Sequence, residues 1–577
     1  MRSAATVATG MTTGKTRMIS ARRRWYIVVL ILIPVFIGAL DLTIVSAILP
    51  EILTRLSIPV DTNLGAAAWA VTGYLLAYIV SMTVSGRVSD LIGRRWVYLV
   101  CLGIFIFGSY WVATAHEWPT AVMNTLARQY LGQRPDLNQL TLLAVIIGRV
   151  IQALGAGAMV PVSMALVADL FPADKRTAPI GVIGAVDTLG WVLGHLYGGV
   201  MVNYFNQNGQ AIAASLRQIG LNWPAPDWHT LFYLNVPIGV VALVLTWLAL
   251  RGIDHPVSEG RFDWIGAGLL SVTLIGLNVG LGGNTEISTT RNLQELEQQT
   301  AFNPTLLIVA GACFVAFLIY EWRLRYPLLE LHLFRKRNIS AASITNLLIG
   351  FCLMLGLVSV PLLINLRAED ATAESISKAA EQAGILLSAF TIPMALAAIP
   401  GGWLAARRGY RLPTTLGLMI AGVGFAAAGL TWRADTPDLV MALHLIIAGV
   451  GLGLTISPIG TAVINESGEG QHGVASALVL ILRLLGMTMA VSSLTTFSLN
   501  RVSVLVSAAV AQFPPALTGE QIQALSVQAY FASGVQVIGE MLLIGAVVCV
   551  VALIPALLLR GGTGANISPT EEKADAL

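Results

Sequence analysis

Along its 577 residues the chain alternates apolar runs with short polar breaks, and the runs are repeatedly about 20 residues long. That is the length a helix rising about 1.5 Å per residue needs to cross a hydrocarbon core of about 30 Å. Breaking the runs at charges, prolines and polar clusters predicts fourteen spans, at about 25–49, 64–86, 96–115, 141–168, 178–204, 230–250, 264–283, 303–323, 339–365, 383–406, 412–432, 438–465, 473–500 and 534–560. Polar loops are predicted over 116–140, 205–229, 284–302 and 366–382. Near the end the pattern changes. T518-G-E-Q521 matches a capping box and opens a stretch free of proline until Pro555. A helix starting at Thr518 carries about 16 residues, roughly 24 Å, beyond the membrane face. The preceding helix, continued to about Gln512, makes this a paired extension over about 501–533.

Composition agrees with that pattern. Residues are 56% hydrophobic and 11% charged, against about 25% charged in soluble domains, so the chain reads as an all-α polytopic membrane protein. The first run, from Trp25 to about Leu49, is too long for a cleavable signal and contains Asp41, so it reads as a retained span. Cys101, Cys313, Cys352 and Cys549 each stand alone in apolar runs, which argues against a disulfide framework or a metal site. Placing Arg22, Arg23 and Arg24 in the cytoplasm puts about twice as many Lys and Arg inside as outside. The expectation is a multi-pass protein of the cell (inner or plasma) membrane with both termini cytoplasmic.

An internal echo divides the chain. GRVSDLIGRR (86–95) lies between spans 2 and 3, and GWLAARRGYR (402–411) lies between spans 10 and 11. Gly86 aligns with Gly402, Gly93 with Gly409 and Arg95 with Arg411, while Asp90 has become Ala406 and Arg94 has become Tyr410. Duplicated six-span halves with two helices inserted between them are a transporter architecture whose substrate site lies between the repeats. The expected organisation is a tail (1–24), a first six-helix bundle (25–250), two inserted helices (251–325), a second bundle with the extension (326–560) and a tail (561–577).

The G-x-x-x-D-x-x-G-R-R motif resembles motif A of the major facilitator superfamily, and the fourteen-span layout resembles its drug:proton antiporter branch. LDLTIVSAILP (40–50), RVIQALGAG (149–157), WHTLFYLNVPIG (228–239) and PLLELHLFRKRN (327–338) are similar to segments of that branch. The resemblance implies that Asp90 contacts the start of span 13 near His472 and Gly473, and that an arginine of the motif, Arg94 or Arg95, pairs with Asp169. With Gly86 and Gly93 these residues form the implied cytoplasmic gate. It further links Arg149, with Gln152 one turn on, to proton transfer. In span 5, Gly190, Gly194, Gly198 and Gly199 match motif C, but His195 replaces its helix-bending proline. A structural substitute and a proton-sensitive gate are both open for His195, since histidine titrates near neutrality.

Charges inside spans are costly, about 2.5 to 3.5 kcal/mol at the bilayer centre on the mildest scale, and usually face a polar cavity. Asp41, in span 1, is therefore a candidate for proton coupling with Arg149. Asp187 in span 5 is either a second such site or the counter-charge of Arg483 in span 13. Gln152 and Arg483 are candidates for the cavity wall, whereas His444 and Glu540 read as structural. The leading expectation is a proton-coupled exporter of hydrophobic or amphipathic, drug-like compounds. The alternative is a lipid or glycolipid exporter, suggested by the paired extension and by VLGHLYG (192–198), which resembles span 5 of triacylglyceride exporters. A non-transporting receptor or scaffold is disfavoured because the intramembrane charges are retained. No enzyme site, cofactor or nucleic-acid partner is expected; the proton gradient is the energy source, and a lipid-accepting partner outside the membrane would fit the lipid reading.

Overall fold

The computed structural model describes residues 20–58, 67–132, 135–218, 220, 224–253, 261–280, 303–324, 327–329, 331–367, 373–468, 470–514 and 518–561. The expected loop 284–302 and nearly all of the two expected tails lie outside them. The described residues form fifteen α-helices: α1 (Ala21–Arg55), α2 (Trp69–Ile92), α3 (Arg94–Ala113), α4 (Trp118–Leu131), α5 (Leu137–Leu170), α6 (Thr177–Gln218), α7 (Trp228–Ala249), α8 (Trp264–Gly280), α9 (Pro304–Arg323), α10 (Arg337–Arg367), α11 (Ala373–Arg408), α12 (Arg411–Thr431), α13 (Asp438–Glu466), α14 (His472–Val510) and α15 (Gly519–Leu557). Every expected span is one of these helices. Twelve are long and apolar enough to cross a bilayer, and α6 is a thirteenth when its two arms count as one bent span. The 17-residue α8 is the fourteenth apolar helix.

Capping side chains set several starts. Ser20 accepts from Arg23 N ahead of α1, Asp136 from Asn138 N ahead of α5, and Asp227 makes a full capping box with Thr230 ahead of α7. Burial alone would raise the Asp227 carboxyl, but the hydrogen bond and charge of His229 hold it below the usual carboxylate range. The cap is therefore ionised at neutral pH, where it meets the positive end of α7.

Helices α1, α2, α3, α5, α6 and α7 pack into one bundle and α10 to α15 into another. The bundles meet chiefly along α2 with α14 and α6 with α11, with lesser contacts of α5 on α14 and α6 on α13. Helices α8 and α9 pack chiefly on each other, and side chains such as Val272, Ile308 and Val315 stay exposed, as a bilayer would accept. The start of α1 and the end of α15 share one face, here the terminal face: Arg24 lies over the Phe171 ring, Arg176 reaches Asn465, and Tyr410 N donates to Gly561 O.

On the far face three expected loops are partly helical. Helix α6 continues to Gln218, α11 begins at Ala373, and α4 occupies much of 116–140. Polarity breaks a membrane span without breaking a helix, so division by hydropathy ended these elements early. The signals for α4 were present: Pro119 sits in its first turn, and Gly132, at φ 64°, ends it in a left-handed conformation.

The paired extension is present. Helix α14 runs to Val510 and α15 opens on Thr518, whose hydroxyl accepts from Gln521 N while Thr518 N donates to Gln521 Oε1. Arg501 grips Glu540 with two bonds, at 2.8 and 3.0 Å, and Gln536 adds a third at 3.0 Å. Glu540 thus ties the two helices together. Thr518→Ala should cost about 1 kcal/mol of local stability. Hydrogen exchange of the amides at 521–523 should quicken about fivefold, while exchange in the first turn of α7 stays unchanged.

Candidate functional site

At the terminal face the bundles are joined by a charged seam. Asp90, near the end of α2, accepts from Gly473 N at 3.0 Å and Val474 N at 3.1 Å, in the first turn of α14. A carboxylate there meets unpaired amides and the positive end of the helix dipole. Arg94 bridges Asp90 at 2.8 Å and Asp169 at 2.7 Å, and His472 Nδ1 lies 3.0 Å from Asp169. Asp90 and Arg94 have no exposed surface. Arg95 is not part of the seam; it stacks on Trp96, 5.3 Å from the ring centroid. Gly93 turns the chain from α2 into α3 at φ 102°, a conformation that favours glycine, and its echo Gly409 sits at φ 81°. A side chain on Gly86 would come within 2.7 Å of Gly473 O.

The echo builds a second seam from different chemistry. Tyr410 stands where Arg94 does in the first half, and its hydroxyl accepts from Asn465 Nδ2 at 2.9 Å. Asn465 ends α13 as Asp169 ends α5. Arg176, preceding α6, donates to Asn465 Oδ1 at 3.2 Å, and the Ser457 hydroxyl donates to Thr177 O. One seam closes with carboxylates and guanidinium, the other largely with neutral groups.

Inside the first bundle Asp41 and Arg149 form an ion pair at 2.5 Å with neither residue exposed. Arg149 also donates to Asp41 O at 2.9 Å and Gln152 Oε1 at 2.7 Å, and lies 3.9 Å from the Tyr74 ring centroid. Asn235 of α7 donates to Asp41 Oδ1 at 3.1 Å, and Gln152 donates to Ser109 of α3 at 2.8 Å. Gln152 was expected on the cavity wall, yet it is consumed inside this cluster and does not line the cavity. Asn235 and Ser109 went unnoticed in the sequence; an asparagine within the quoted LNVPIG was the available signal.

A small cavity of about 40 Å³ lies between the bundles, lined by Tyr78 and Met82 of α2, Asp187, Thr188 and Trp191 of α6, Leu353 and Leu357 of α10, Thr391 and Met394 of α11, and Leu480, Arg483 and Met487 of α14. Its wall is mainly apolar. Asp187 and Arg483 both face it, but no ion pair within 4.0 Å joins them; Arg483 donates instead to Asn346 of α10 at 3.3 Å. Asp187 Oδ1 and Trp191 Nε1 are buried without hydrogen-bond partners. Polar groups are thus held in reserve at the cavity.

The glycine stripe of α6 packs on α1. A side chain on Gly190 would meet Ala39, one on Gly198 would meet Ile44, and one on Gly194 would overlap Leu40 O and the Thr43 hydroxyl. Gly199 faces open space and takes no part. Between Trp191 and Leu196 the helix bends by 42°. The side chain of His195 lies outside the described residues, but its backbone sits in the bend. In an unbroken helix the N–H of residue 195 reaches Trp191 O; a proline there leaves that carbonyl free. Here Thr43 of α1 donates its hydroxyl to Trp191 O at 2.6 Å. The bend thus lies where motif C of the antiporter branch carries its proline, and the Thr43 hydroxyl bonds the carbonyl that such a proline would leave free.

Two helical bundles joined by seams at one face and enclosing a largely apolar cavity define a membrane transporter of the secondary type. The chain belongs to the Major Facilitator Superfamily, whose family model matches residues 31–491. It is similar to a triacylglyceride transporter of Mycolicibacterium hassiacum, 31% identical over 94% of this chain and 92% of that protein. A triacylglyceride transporter of Mycobacterium tuberculosis is 32% identical over 91% of this chain and 93% of its own. Among solved structures, the proton:xylose symporter XylE matches with a TM-score of 0.52 at 14% identity, over 92% of this chain and 95% of the other. The human organic anion transporter MFSD10 matches with a TM-score of 0.52 at 16% identity, over 93% and 100%. These two show the shared fold.

Two outcomes follow. In a background lacking native cysteines, Ser457→Cys should react with an impermeant maleimide at least tenfold faster when Asp90→Ala is added, because truncating one partner of a buried charge network costs about 3 to 5 kcal/mol. Tyr410→Phe, which loses one neutral bond of about 1 kcal/mol, should accelerate it only about fivefold. Thr43→Val should straighten α6, shifting the distance between spin labels at His116 and Gln207, and His195→Pro in the same background should restore it. An unchanged distance in Thr43→Val would remove Thr43 as the cause of the bend.

Proposed function

We propose that this protein exports a lipid of the triacylglyceride class across the cell membrane, coupled to the proton gradient, by alternating access. The observation that carries this reading is the resemblance, at 31 to 32% identity over more than nine-tenths of the chain, to proteins named triacylglyceride transporters. The sequence alone ranked drug-like substrates first. Two structural features favour lipid. The cavity between the bundles is mainly apolar with few polar points, which suits a greasy substrate, and α14 and α15 extend as a clasped pair well past the membrane.

The terminal face is placed in the cytoplasm, where the excess of Lys and Arg belongs. With both seams closed, the arrangement is that of a carrier shut towards the cytoplasm, and the charged seam acts as the gate. Asp187, unpartnered at the cavity, accepts a proton or the polar end of a substrate. Protonating Asp41 removes the charge that Arg149 faces, which frees Arg149 to re-pair within the bundle. A lipid-accepting protein outside the membrane would meet the far end of the α14 and α15 pair.

Purified protein in liposomes with an imposed pH gradient should move labelled triacylglycerol. Asp41→Asn and Asp187→Asn should each slow gradient-driven transport at least tenfold. Ethidium movement without any lipid movement would overturn the lipid reading in favour of drug export; lipid movement indifferent to the gradient and to both variants would overturn proton coupling.

A further inference from the structure

A second depression lies away from the transport pathway, on the lipid side of the first bundle where α1 begins and α7 ends. This groove of about 350 Å³ is lined by Arg23, Tyr26, Leu245, Leu248 and Ala249. Its floor is apolar and its rim cationic. Arg23 donates to Arg251 O at 3.3 Å, bringing both arginines to the same end of the groove, and Arg251 lies 5.6 Å from the Trp247 ring centroid. Arg22 and Arg23 are exposed, as is Arg251. Among the described residues none of the three is paired with a carboxylate, in contrast to Arg94, Arg149 and Arg501, each of which has one.

The surroundings fix the depth. Trp25, Tyr26 and Trp247 are all more than a third exposed, and exposed Trp and Tyr near helix ends mark the level of lipid headgroups. Beside them Leu248 is 49% exposed on the face a bilayer would cover. Unpaired guanidinium at headgroup depth above an apolar groove is complementary to a phosphate carrying acyl chains. Arginine binds phosphate through a planar fork of donors, and basic pockets between helices take anionic headgroups.

We propose that this groove binds one anionic phospholipid of the leaflet at the terminal face, with the phosphate on Arg23, Arg251 alongside, and an acyl chain along Leu245 and Leu248. The site is separate from the cavity between the bundles. The lipid tethers the first turn of α1 to the last of α7, the two helices that carry Asp41 and Asn235.

Native mass spectrometry of the full-length protein in neutral detergent tests this with phosphatidylglycerol, phosphatidylcholine and glycerol-3-phosphate as probes. The expected result is one phosphatidylglycerol adduct retained at least tenfold more strongly than phosphatidylcholine and not displaced by millimolar glycerol-3-phosphate. The Arg23→Gln, Arg251→Gln double variant should lose that preference, and Arg335→Gln, on the same face, should keep it. Leu248→Glu keeps both arginines and should also weaken binding at least tenfold; it decides the matter if the double variant does not purify as a folded protein. Undiminished binding in the double variant or in Leu248→Glu, equal loss in Arg335→Gln, or full displacement by glycerol-3-phosphate would each overturn the site.

Discussion

Much of the first bundle is organised around one guanidinium that has no contact with solvent. Arg149 is fully buried, and every group it needs comes from a different direction: a carboxylate and a carbonyl from α1, a carbonyl and an aromatic face from α2, and an amide from its own helix. Asn235 from α7 and Ser109 from α3 complete the second ring of contacts. An unsatisfied buried charge is expensive, and removing one partner of a buried pair costs about 3 to 5 kcal/mol. The helices that supply these groups are thereby held in one register. The buried ion pair gives the bundle a fixed centre.

The two terminal-face seams share a backbone turn and differ in the side chains that cross the boundary. Backbone geometry survives in both halves, with Gly93 and Gly409 at positive φ in equivalent turns. The side chains that cross the boundary have diverged. The first half uses Asp90, Arg94 and Asp169 against the start of α14; the second uses Tyr410 and Asn465 against Arg176. The closed face is therefore strong on one side and weaker on the other.

The parts legible in the sequence were those set by short-range rules. Apolar run length located every span, and the Thr518 to Gln521 spacing located the start of α15. The partner of Asp90 was legible through family resemblance. What escaped depended on three-dimensional proximity or on treating polarity as a helix breaker. Helix α4 and the far arm of α6 are polar yet helical. Asn235 and Asn346 are single polar residues in apolar runs, meaningful only once α7 and α10 place them beside Asp41 and Arg483. Gln152 shares a helix face with Arg149, which correctly made them neighbours but could not say that the neighbourhood was sealed from the cavity.

The bond from Thr43 to Trp191 O changes the character of the bend in α6. A proline removes a donor permanently, so a proline-bent helix stays bent whatever its neighbours do. A hydroxyl on an adjacent helix holds the carbonyl only while α1 and α6 keep their present separation. The bend in α6 thus carries a hydrogen bond to α1, the helix that also carries Asp41. Where motif C of the antiporter branch has a ring that fixes the backbone, this helix has a bond it shares with its neighbour.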